Sequence, residues 1–435
     1  MQKSEKKRVC MKPVCERMAQ VTPIIFHIDV NSAYLSWTAV EQLKNGAKVD
    51  IREIPAIIGG DQTSRHGVVL AKSTFAKKYG IRTGEPVANA FRKCPNLVMY
   101  PPDHRMYREK SRQMMEYLKT FTKEIEQVSV DECYMDFTKI AARYSSPIDG
   151  ALEIKEGIKK KFGFTVNVGI STNKLLAKMA SDFEKPDRIH TLFPEEIEVK
   201  MWPLPIKDLY MAGKSSVDTL HKLGIFTIGQ LAKSPLAVLE AHLKSHGRIL
   251  WEYANGIDDS IVNTVKEESK GVGNSTTLSR DVDDIDEIFK VLLGLSEKVG
   301  GRLRAGRQRA KTIAVEIKYN DFTKCSRQTT VEVATDSGTE IYNIIKILLK
   351  ELWSGKPVRL LGVRTANLVE DGEPEQLSIM DIEGWSGTEE KKRNNVQPSR
   401  EKMKKLDEAL DAIKHKYGKD VVGRASLMER KTENQ

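Results

Sequence analysis

The stretch "VSVDECYMDF", Val128 to Phe137, places two acidic residues side by side in a segment whose other residues favour a β-strand. Neighbouring side chains of a regular strand point to opposite faces, so either Asp131 or Glu132 would face a core. Burying an unpaired carboxylate is costly. Two strands that meet at Asp131–Glu132 would remove this conflict, because a turn frees both side chains from the alternation.

A third acidic residue, Asp29, ends the apolar run from Ile24 to Ile28, which predicts a buried strand. If that strand lies beside the acid pair, three carboxylates converge and repel one another unless a hard cation binds among them. Mg²⁺ prefers oxygen ligands, and two such ions can hold the attacking and leaving oxygens of a phosphoryl transfer. The alternative for each acid alone is a surface charge or a helix cap.

Between Ile24 and Ile189 the apolar patterns predict the order β, α, an insertion, α, β, β, α, β, α. This order is typical of a ferredoxin-like fold with one insertion. The residues after Met201 predict short helices with glycine turns, and Asn274 to Glu370 predict a second domain of helices and strands. We therefore expect a fold of the α+β class.

The charge distribution indicates a polyanionic partner. The formal net charge is +10, and between Gly300 and Thr330 eight Lys or Arg residues stand against two acidic ones. This basic run leads into a segment in which Ile313, Val315 and Ile317 alternate with other residues, which predicts a half-buried strand. A half-buried strand with a charged segment before it is suited to phosphate contacts. The alternative is a solvated helix end.

Other classes of protein are disfavoured. The five cysteines form no C-x-x-C pair, which argues against a zinc site or a disulfide framework. No apolar run approaches the length of a membrane span, and the basic N-terminal segment lacks the apolar core of a secretory signal. We expect a cytoplasmic protein that does not enter a membrane.

The segments "FHIDVNSAYLSW", "VSVDECYMDF" and "VGISTNKLLAKMASDFEKPD" resemble, in order, spacing and content, three motifs of the Y-family translesion DNA polymerases of the bacterial DinB/UmuC type. The resemblance covers about Ile24 to Glu370. It implies template-directed, low-fidelity DNA synthesis in translesion synthesis and repair. It also implies that two Mg²⁺ ions support nucleotidyl transfer from a dNTP to a primer 3′-OH, and that their ligands are Asp29, Asp131, Glu132 and the backbone carbonyl of Val30. The acid pair is further implied to lie where one palm strand turns into the next, so two strands are predicted to meet at Asp131–Glu132.

The resemblance also implies a division into named domains. We expect, in chain order, a basic N-terminal extension (1–23), a ferredoxin-like palm (24–35 and 97–200), inserted fingers (36–96), a thumb with a helix-hairpin-helix (201–265), a linker (266–273), an α+β little finger (274–370) and a C-terminal tail (371–435).

Two side chains are implied to contact the incoming nucleotide. Tyr34 matches the family aromatic that packs against the sugar and leaves no room for a 2′-hydroxyl, whereas a lone tyrosine early in a helix otherwise indicates core packing. Lys185 matches the lysine that reaches the triphosphate, and its alternative is a solvated loop lysine. The family usually has glycine where this chain has Arg188, so the turn after Lys185 is expected to differ.

The finger segment departs from the family pattern Tyr-x-Ala-Arg. This chain has Thr74 in place of the tyrosine and Lys77 in place of the arginine. Lys77 keeps the charge but loses the bidentate fork of a guanidinium. We predict that Lys77 binds the triphosphate, with Ser73 and Lys72 as nearby alternatives.

Two regions are predicted to bind primer-template DNA. "LYMAGKSSVDTLHKLGIFTIGQLA" resembles a helix-hairpin-helix, in which tight turns bring backbone N–H groups to a phosphate. Met211 stands where the family more often has glycine, and the alternative is an ordinary turn between two helices. The predicted DNA contacts of the thumb and little finger are Gly213, Lys214, Gly224, Arg302, Arg304, Arg307, Arg309 and Lys311.

The segment "EQLSIMD" (375–381) resembles the peptide with which bacterial polymerases dock on the sliding clamp. Gln376, Leu377 and Ile379 fit that peptide, whereas Met380 stands where an aromatic residue is usual. The alternative is a plain linker. We otherwise expect a monomer associated with the nucleoid.

Two other functions remain open from the sequence. One is a non-catalytic DNA-binding repair factor that kept the helix-hairpin-helix, although the intact acid trio argues against it. The other is a different enzyme with the same palm arrangement, such as a nucleotide cyclase or a metal nuclease, for which the thumb-like and basic regions would lack a purpose.

Overall fold

The computed structural model describes residues 22–60, 67–265, 268–370, 390–418 and 421–422, without the side chains of 390–401 and 403. The chain forms two compact units. One comprises Met1–Gly60 and Val68–Lys266, and the other comprises Asp61–Gly67 and Glu267–Gln435. Almost all of the expected N-terminal extension and the clamp-like segment lie outside the described residues.

The first unit holds eight strands and ten α-helices in its described part. They are β1 (Ile25–Val30), α1 (Ala33–Lys44), β2 (Ala56–Gly59), β3 (Val69–Lys72), α2 (Thr74–Lys78), α3 (Val87–Lys93), β4 (Val98–Tyr100), α4 (His104–Leu118), β5 (Ile125–Gln127), β6 (Glu132–Asp136), α5 (Pro147–Phe162), β7 (Val166–Ser171), α6 (Lys174–Asp182), β8 (Ile189–Thr191), α7 (Lys214–Lys222), α8 (Ile228–Ala232), α9 (Leu236–Leu243) and α10 (Ser245–Ala254).

The central sheet of this unit has the strand order β5-β6-β1-β7-β8. Strand β1 lies in the middle and pairs antiparallel with both β6 and β7, while β8 adds a parallel edge beside β7. Strands β1, β5, β6 and β7 are arranged as in a ferredoxin-like βαββαβ fold. The second and third of them in chain order, β5 and β6, form a hairpin, and the first, β1, lies between β6 and β7. The predicted palm topology is confirmed.

Helices cover both faces of this sheet. On one face α1, α4 and α5 pack through residues such as Trp37, Met114 and Ile154 against Phe26 and Ile28. Helix α6 lies on the other face. Its backbone at Ala177 and Ser181 passes directly over Gly169 of β7. Outward-facing residues of α6 join the core of the thumb helices.

The insertion between α1 and α4 forms a three-stranded sheet of order β3-β2-β4 with α2 and α3 and corresponds to the fingers. The expected boundaries at 36 and 96 are wrong. Helix α1 packs on the palm sheet through Trp37 and Val40, and β4, which was expected in the palm, pairs with β2 of the finger sheet.

After the palm, α7 to α10 pack around Leu220, Ile228, Leu239 and Leu250. Met211, in the turn before α7, has φ of 68°, a left-handed conformation that glycine adopts more readily. The turn therefore has the backbone conformation that a glycine would give it. Gly224, just after α7, has φ of 78°.

The second unit is a separate α+β domain. Its elements are β9 (Gly271–Val282), α11 (Ile285–Ala305), β10 (Gln308–Tyr319), β11 (Lys324–Thr335), α12 (Gly338–Leu352), β12 (Val358–Glu370) and a C-terminal helix (Glu390–Tyr417). The sheet order is β11-β10-β12-β9. Strand β9 begins inside the predicted linker 266–273, because Gly271 to Gly273 already pair with β12. No described helix is long and apolar enough to cross a membrane.

Gly169 provides a test of the packing between α6 and β7. A Cβ atom there would lie 1.9 Å from the carbonyl oxygen of Ala177 and 2.5 Å from the amide nitrogen of Ser181. Because both are backbone atoms, Gly169→Ala should lower the free energy of unfolding by about 3 kcal/mol or more, as measured by urea denaturation.

The matched control is the same substitution at Gly294 in α11, where no heavy atom lies within 4 Å of an added Cβ. Gly294→Ala should stabilise its helix by about 0.5 to 1 kcal/mol. An unfolding free energy of Gly169→Ala equal to that of the native chain would contradict the close packing.

Candidate active site

The acid pair lies at a turn between two strands. Strand β5 ends at Gln127 and β6 begins at Glu132, and the amides of Val128 and Ser129 both donate to the carbonyl oxygen of Glu132. Asp131 is the last turn residue, and its Oδ1 accepts a hydrogen bond from Oγ of Ser129, 2.5 Å away. The predicted meeting of two strands at Asp131–Glu132 is therefore confirmed.

The register of the sheet brings the third acid to this turn. Asp29 on β1 stands directly opposite Glu132 on β6, so their side chains share one face of the sheet. The amide of Val30 donates to the carbonyl oxygen of Asp131 at 3.0 Å. The three acids thus lie at one end of two neighbouring strands.

Glu132 is paired with groups from β1 and α6. Its carboxylate lies 2.7 Å from the ammonium nitrogen of Lys178 and 3.3 Å from Nε2 of the buried His27. The imidazole and the ammonium hold the pKa of Glu132 at about 2. Burial lowers the pKa of His27, whose Nδ1 is hydrogen-bonded to the hydroxyl of Ser181 at 2.7 Å.

Asp29 is paired with Lys185. The Lys185 ammonium contacts the Asp29 carboxylate and lies 2.8 Å from Asp182. Burial raises the pKa of Asp29, although Lys185 opposes this shift. Burial by itself lowers the pKa of Lys185, but the carboxylates of Asp29 and Asp182 raise it by more, so the pKa of Lys185 is raised. The two groups therefore form a close, partly buried ion pair.

The donor atoms at this sheet end suit a divalent cation. Three carboxylates and the carbonyl oxygen of Val30 are hard oxygen ligands of the kind that Mg²⁺ and similar ions prefer. In the described part of the chain, no three acidic, histidine or cysteine side chains stand close enough together to hold a metal as they are. Protein cations bind Asp29 and Glu132 in this conformation.

A cavity of about 530 Å³ is lined by the predicted metal and nucleotide residues, except Glu132. Its walls include Asp29, Asp131, Lys185, Tyr34 and Lys77, which come from the palm and the fingers. Glu132 does not line it and lies behind, beside Lys178. The cavity therefore places acidic groups, an aromatic ring and two ammonium groups around one volume.

Tyr34 is supported from behind by a second aromatic ring. The ring of Tyr107 stacks on it with centroids 4.3 Å apart and an interplanar angle of 8°. The hydroxyl of Tyr107 is in turn hydrogen-bonded to Thr38 at 2.9 Å. Tyr34 thus combines both predicted environments, since it packs on the palm core and also lines the cavity.

Among the finger residues, Ser73 has a structural task. Its hydroxyl caps α2 by accepting from the Ala76 amide and donates to the carbonyl oxygen of Ile54. Lys72 lines the cavity together with Lys77 and donates to the hydroxyl of Thr83 at 3.1 Å. Burial and the nearby Lys77 lower the pKa of Lys72.

The predicted DNA contacts of the thumb lie at the two ends of α7. Gly213 precedes the helix, Lys214 begins it, and Gly224 follows it. An added Cβ at either glycine would meet no heavy atom within 4 Å, so both turns are open.

The basic residues of the second unit have different surroundings. Arg302 and Arg307 are exposed, whereas Arg309 and Lys311 are half-buried. Arg304 is held by Asp411 and Asp407 of the C-terminal helix at 2.6 and 3.4 Å. Their DNA contacts remain predictions, as does the role of the clamp-like residues Gln376, Leu377, Ile379 and Met380, which lie outside the described residues.

Comparison with known proteins follows the same division of the chain. The model of the impB/mucB/samB family matches residues 28–182, and that of the family's C-terminal domain matches residues 269–379. The chain is 48% identical over 410 residues to DNA polymerase IV of Clostridium acetobutylicum, covering 94% of this chain and 99% of that protein. It is 34% identical over 409 residues to DNA polymerase IV 1 of Bacillus subtilis, covering 94% of each.

A solved Y-family DNA polymerase chimera of Dbh and Dpo4 has the same fold. The TM-score is 0.69 at 24% sequence identity, and the match covers 80% of this chain and 99% of that one. The ferredoxin-like palm, the inserted fingers, the helical thumb and the second α+β unit together form the fold of a palm-containing polymerase. The chain belongs to the Y family of DNA polymerases, in the group of the bacterial DNA polymerase IV proteins.

Sequence reasoning missed four residues that surround the acids. His27 has a signal in the sequence, because it lies two positions before Asp29 on a strand and therefore on the same face. Asn31 lies two positions after Asp29 and directly after β1, so its nearness to the site also has a signal in the sequence. Lys178 and Asn167 have none of this kind, since only the packing of distant segments brings them to the site.

The position of the acids at one end of the sheet leads to a test of their predicted role. Asp131→Ala and Glu132→Ala should each lower primer extension by at least about a hundredfold, because the charge that develops in the transferring phosphoryl group loses its counter-ions. Binding of primer-template DNA, measured by fluorescence anisotropy, should persist.

The matched control is Asp136→Ala on the same strand, whose carboxylate accepts the amide of Thr138 at the opposite end of β6. This variant should keep its activity. Near-normal turnover of either Asp131→Ala or Glu132→Ala would show that the acid pair is not the reaction centre.

Proposed function

We propose that this Y-family polymerase extends a primer on a DNA template with low fidelity, passes damaged bases, and uses Mg²⁺ as its divalent ion. The observation that carries the proposal is the cavity that brings Asp29, Asp131, Tyr34 and Lys185 together. Its walls offer carboxylates for cations, ammonium groups for phosphates and a ring for the sugar.

Asp29, Asp131 and Glu132, with the carbonyl of Val30, are the proposed ligands of two Mg²⁺ ions. When bound, these ions supply positive charge to the attacking and leaving oxygens of an in-line displacement. Asp29 and Asp131 line the cavity, and Glu132 lies behind them at the same end of the sheet.

Lys185 and Lys77 are proposed to bind the triphosphate of the incoming dNTP. Both line the cavity, and an ammonium group serves a phosphate as a compact point charge. Lys77 offers no bidentate fork, and Lys72, which lines the same cavity, is proposed as an additional cation.

Primer-template DNA is the polymer substrate, and the glycine turns at the ends of α7 and the basic residues Arg302, Arg304, Arg307, Arg309 and Lys311 are its proposed contacts. We propose that the chain acts as a monomer in the nucleoid. The alternative of a non-catalytic repair factor is not favoured, because relatives named DNA polymerase IV match along nearly their whole length and all three acids are present.

Primer extension with Mg²⁺ and all four dNTPs, on an intact template and on one with an abasic site, tests this function directly. We expect extension on both templates and misinsertion on the intact one. DNA binding without extension would support the repair factor, and cleavage of the template would support a nuclease.

The stacked position of Tyr34 leads to a prediction about sugar selectivity. Tyr34→Ala should raise the incorporation of ribonucleotides relative to deoxyribonucleotides by about tenfold or more, because the space beside the sugar is no longer filled. Tyr34→Phe keeps the ring and should keep the selectivity. Equal selectivity of the native and alanine chains in single-nucleotide insertion would refute the assignment.

The segment 375–381 leads to a prediction about a partner. We propose that Gln376, Leu377, Ile379 and Met380 dock on the bacterial sliding clamp. Changing Leu377 and Ile379 together to alanine should abolish the stimulation of primer extension by a loaded clamp and leave extension without the clamp unchanged. Undiminished stimulation would assign the segment to a plain linker.

A further inference from the structure

Two buried asparagines connect the loop that carries Lys185 to the strands beside the acids. Asn31 follows β1 directly, and Asn167 lies on β7 opposite Asp29. The amide of Asn31 donates to Oδ1 of Asn167 at 3.0 Å. Asn167 is fully buried and Asn31 is 8% exposed, so neither amide has water as a ready substitute.

The pair brackets Lys185 on both sides. Asn167 donates to the carbonyl oxygen of Glu184, which precedes the lysine, at 2.6 Å. Beyond the lysine, the amide of Asp187 donates to Asn31 at 2.9 Å and the amide of Arg188 donates to Asn167 at 3.2 Å. The backbone on each side of Lys185 is therefore held by a side chain of the sheet.

The hydrogen bonds leave Asn167 no unused capacity. Its two N–H donors serve the carbonyl oxygens of Ser181 and Glu184, and its oxygen accepts from Asn31 and Arg188. A primary amide has two donors and two acceptor positions, so all four are filled. A saturated, buried amide has one defined orientation, because any other leaves polar groups unpaired.

Asp187 closes the same turn from the outside. Its φ of 63° supplies the left-handed residue, which explains how the loop turns without a glycine at Arg188. Its carboxylate lies 2.7 Å from Lys155 and 2.9 Å from Lys159 of α5. The loop is thus fixed to the sheet by amides and to α5 by charge.

We propose that Asn31 and Asn167 are positioning residues for Lys185. They hold the loop backbone so that the ammonium group of Lys185 meets the triphosphate of the incoming dNTP at the acid end of the sheet. This inference rests on the triphosphate role proposed for Lys185. Asn167 acts only through the loop, since it does not line the cavity, whereas Asn31 also forms part of the cavity wall.

A double-mutant cycle tests the inference. Asn167→Ala and Asn31→Ala are each made in the native chain and in Lys185→Met. Single-nucleotide insertion gives kcat and KM for the dNTP, and dNTP binding to the complex with a dideoxy-terminated primer-template gives Kd. In the native chain each asparagine variant should raise KM and Kd by about tenfold or more. In the Lys185→Met chain the same variants should change neither value.

The cycle distinguishes the two hypotheses. If Lys185→Met leaves KM and Kd unchanged, the triphosphate role of Lys185 fails and the positioning role fails with it. If Lys185→Met raises both values but the asparagine variants raise them by the same factor in both backgrounds, the triphosphate role stands and the positioning role is overturned.

Two further variants separate positioning from general stability. Ser171→Ala removes a buried hydroxyl of β7 that donates to the carbonyl oxygen of Leu192, away from the loop, and should lower stability in urea without changing KM or Kd. Thr165→Val removes only the hydroxyl that donates to Asn31 and keeps the side-chain shape. It should raise Kd by a few fold even if the alanine variants do not fold, and an unchanged Kd would overturn the proposal.

Discussion

The close contact of helix α6 with strand β7 at Gly169 is the constraint on which the active site depends. Because this residue has no side chain, the backbone of α6 lies directly on the sheet. From that position Lys178 reaches Glu132, and the loop after the helix carries Lys185 to the end of β1. One backbone approach therefore determines which cations meet the acids.

The acidic end of the sheet is costly for folding, and its surroundings offset that cost. Like charges on neighbouring strands repel, and burial further disfavours the ionised form of Asp29. Lysines from α6 and its following loop compensate the charge, while His27 and Lys178 hold Glu132 ionised. The buried amides of Asn31 and Asn167 keep this arrangement in one geometry. The polar groups of the site thus form a connected network on a rigid apolar sheet.

Much of the palm and part of the site followed from local patterns. The turn before Glu132 was implied by the family resemblance, and it removes the conflict that strand alternation creates for two adjacent acids. The alternation of Ile313, Val315 and Ile317 correctly indicates a half-buried strand. The sequence predicts a linker as far as Gly273, whereas β9 begins at Gly271, because Gly271 and Gly273 favour a linker by composition yet pair with β12 in the sheet. Glycine has no side chain to show a strand pattern.

The sequence by itself determined the order of elements, the acid turn and the types of chemical groups at the site, because these depend on residues close together in the chain. The order of elements alone does not determine which strands pair. The palm and the second unit share the order β, α, β, β, α, β, yet their sheets run β5-β6-β1-β7 and β11-β10-β12-β9. The pairing of Asp29 with Glu132, and the bond between Asn31 and Asn167 across 136 residues, arise only when apolar faces pack together. Tertiary structure alone decided them, since such contacts depend on the burial of the whole sheet and leave no local periodicity.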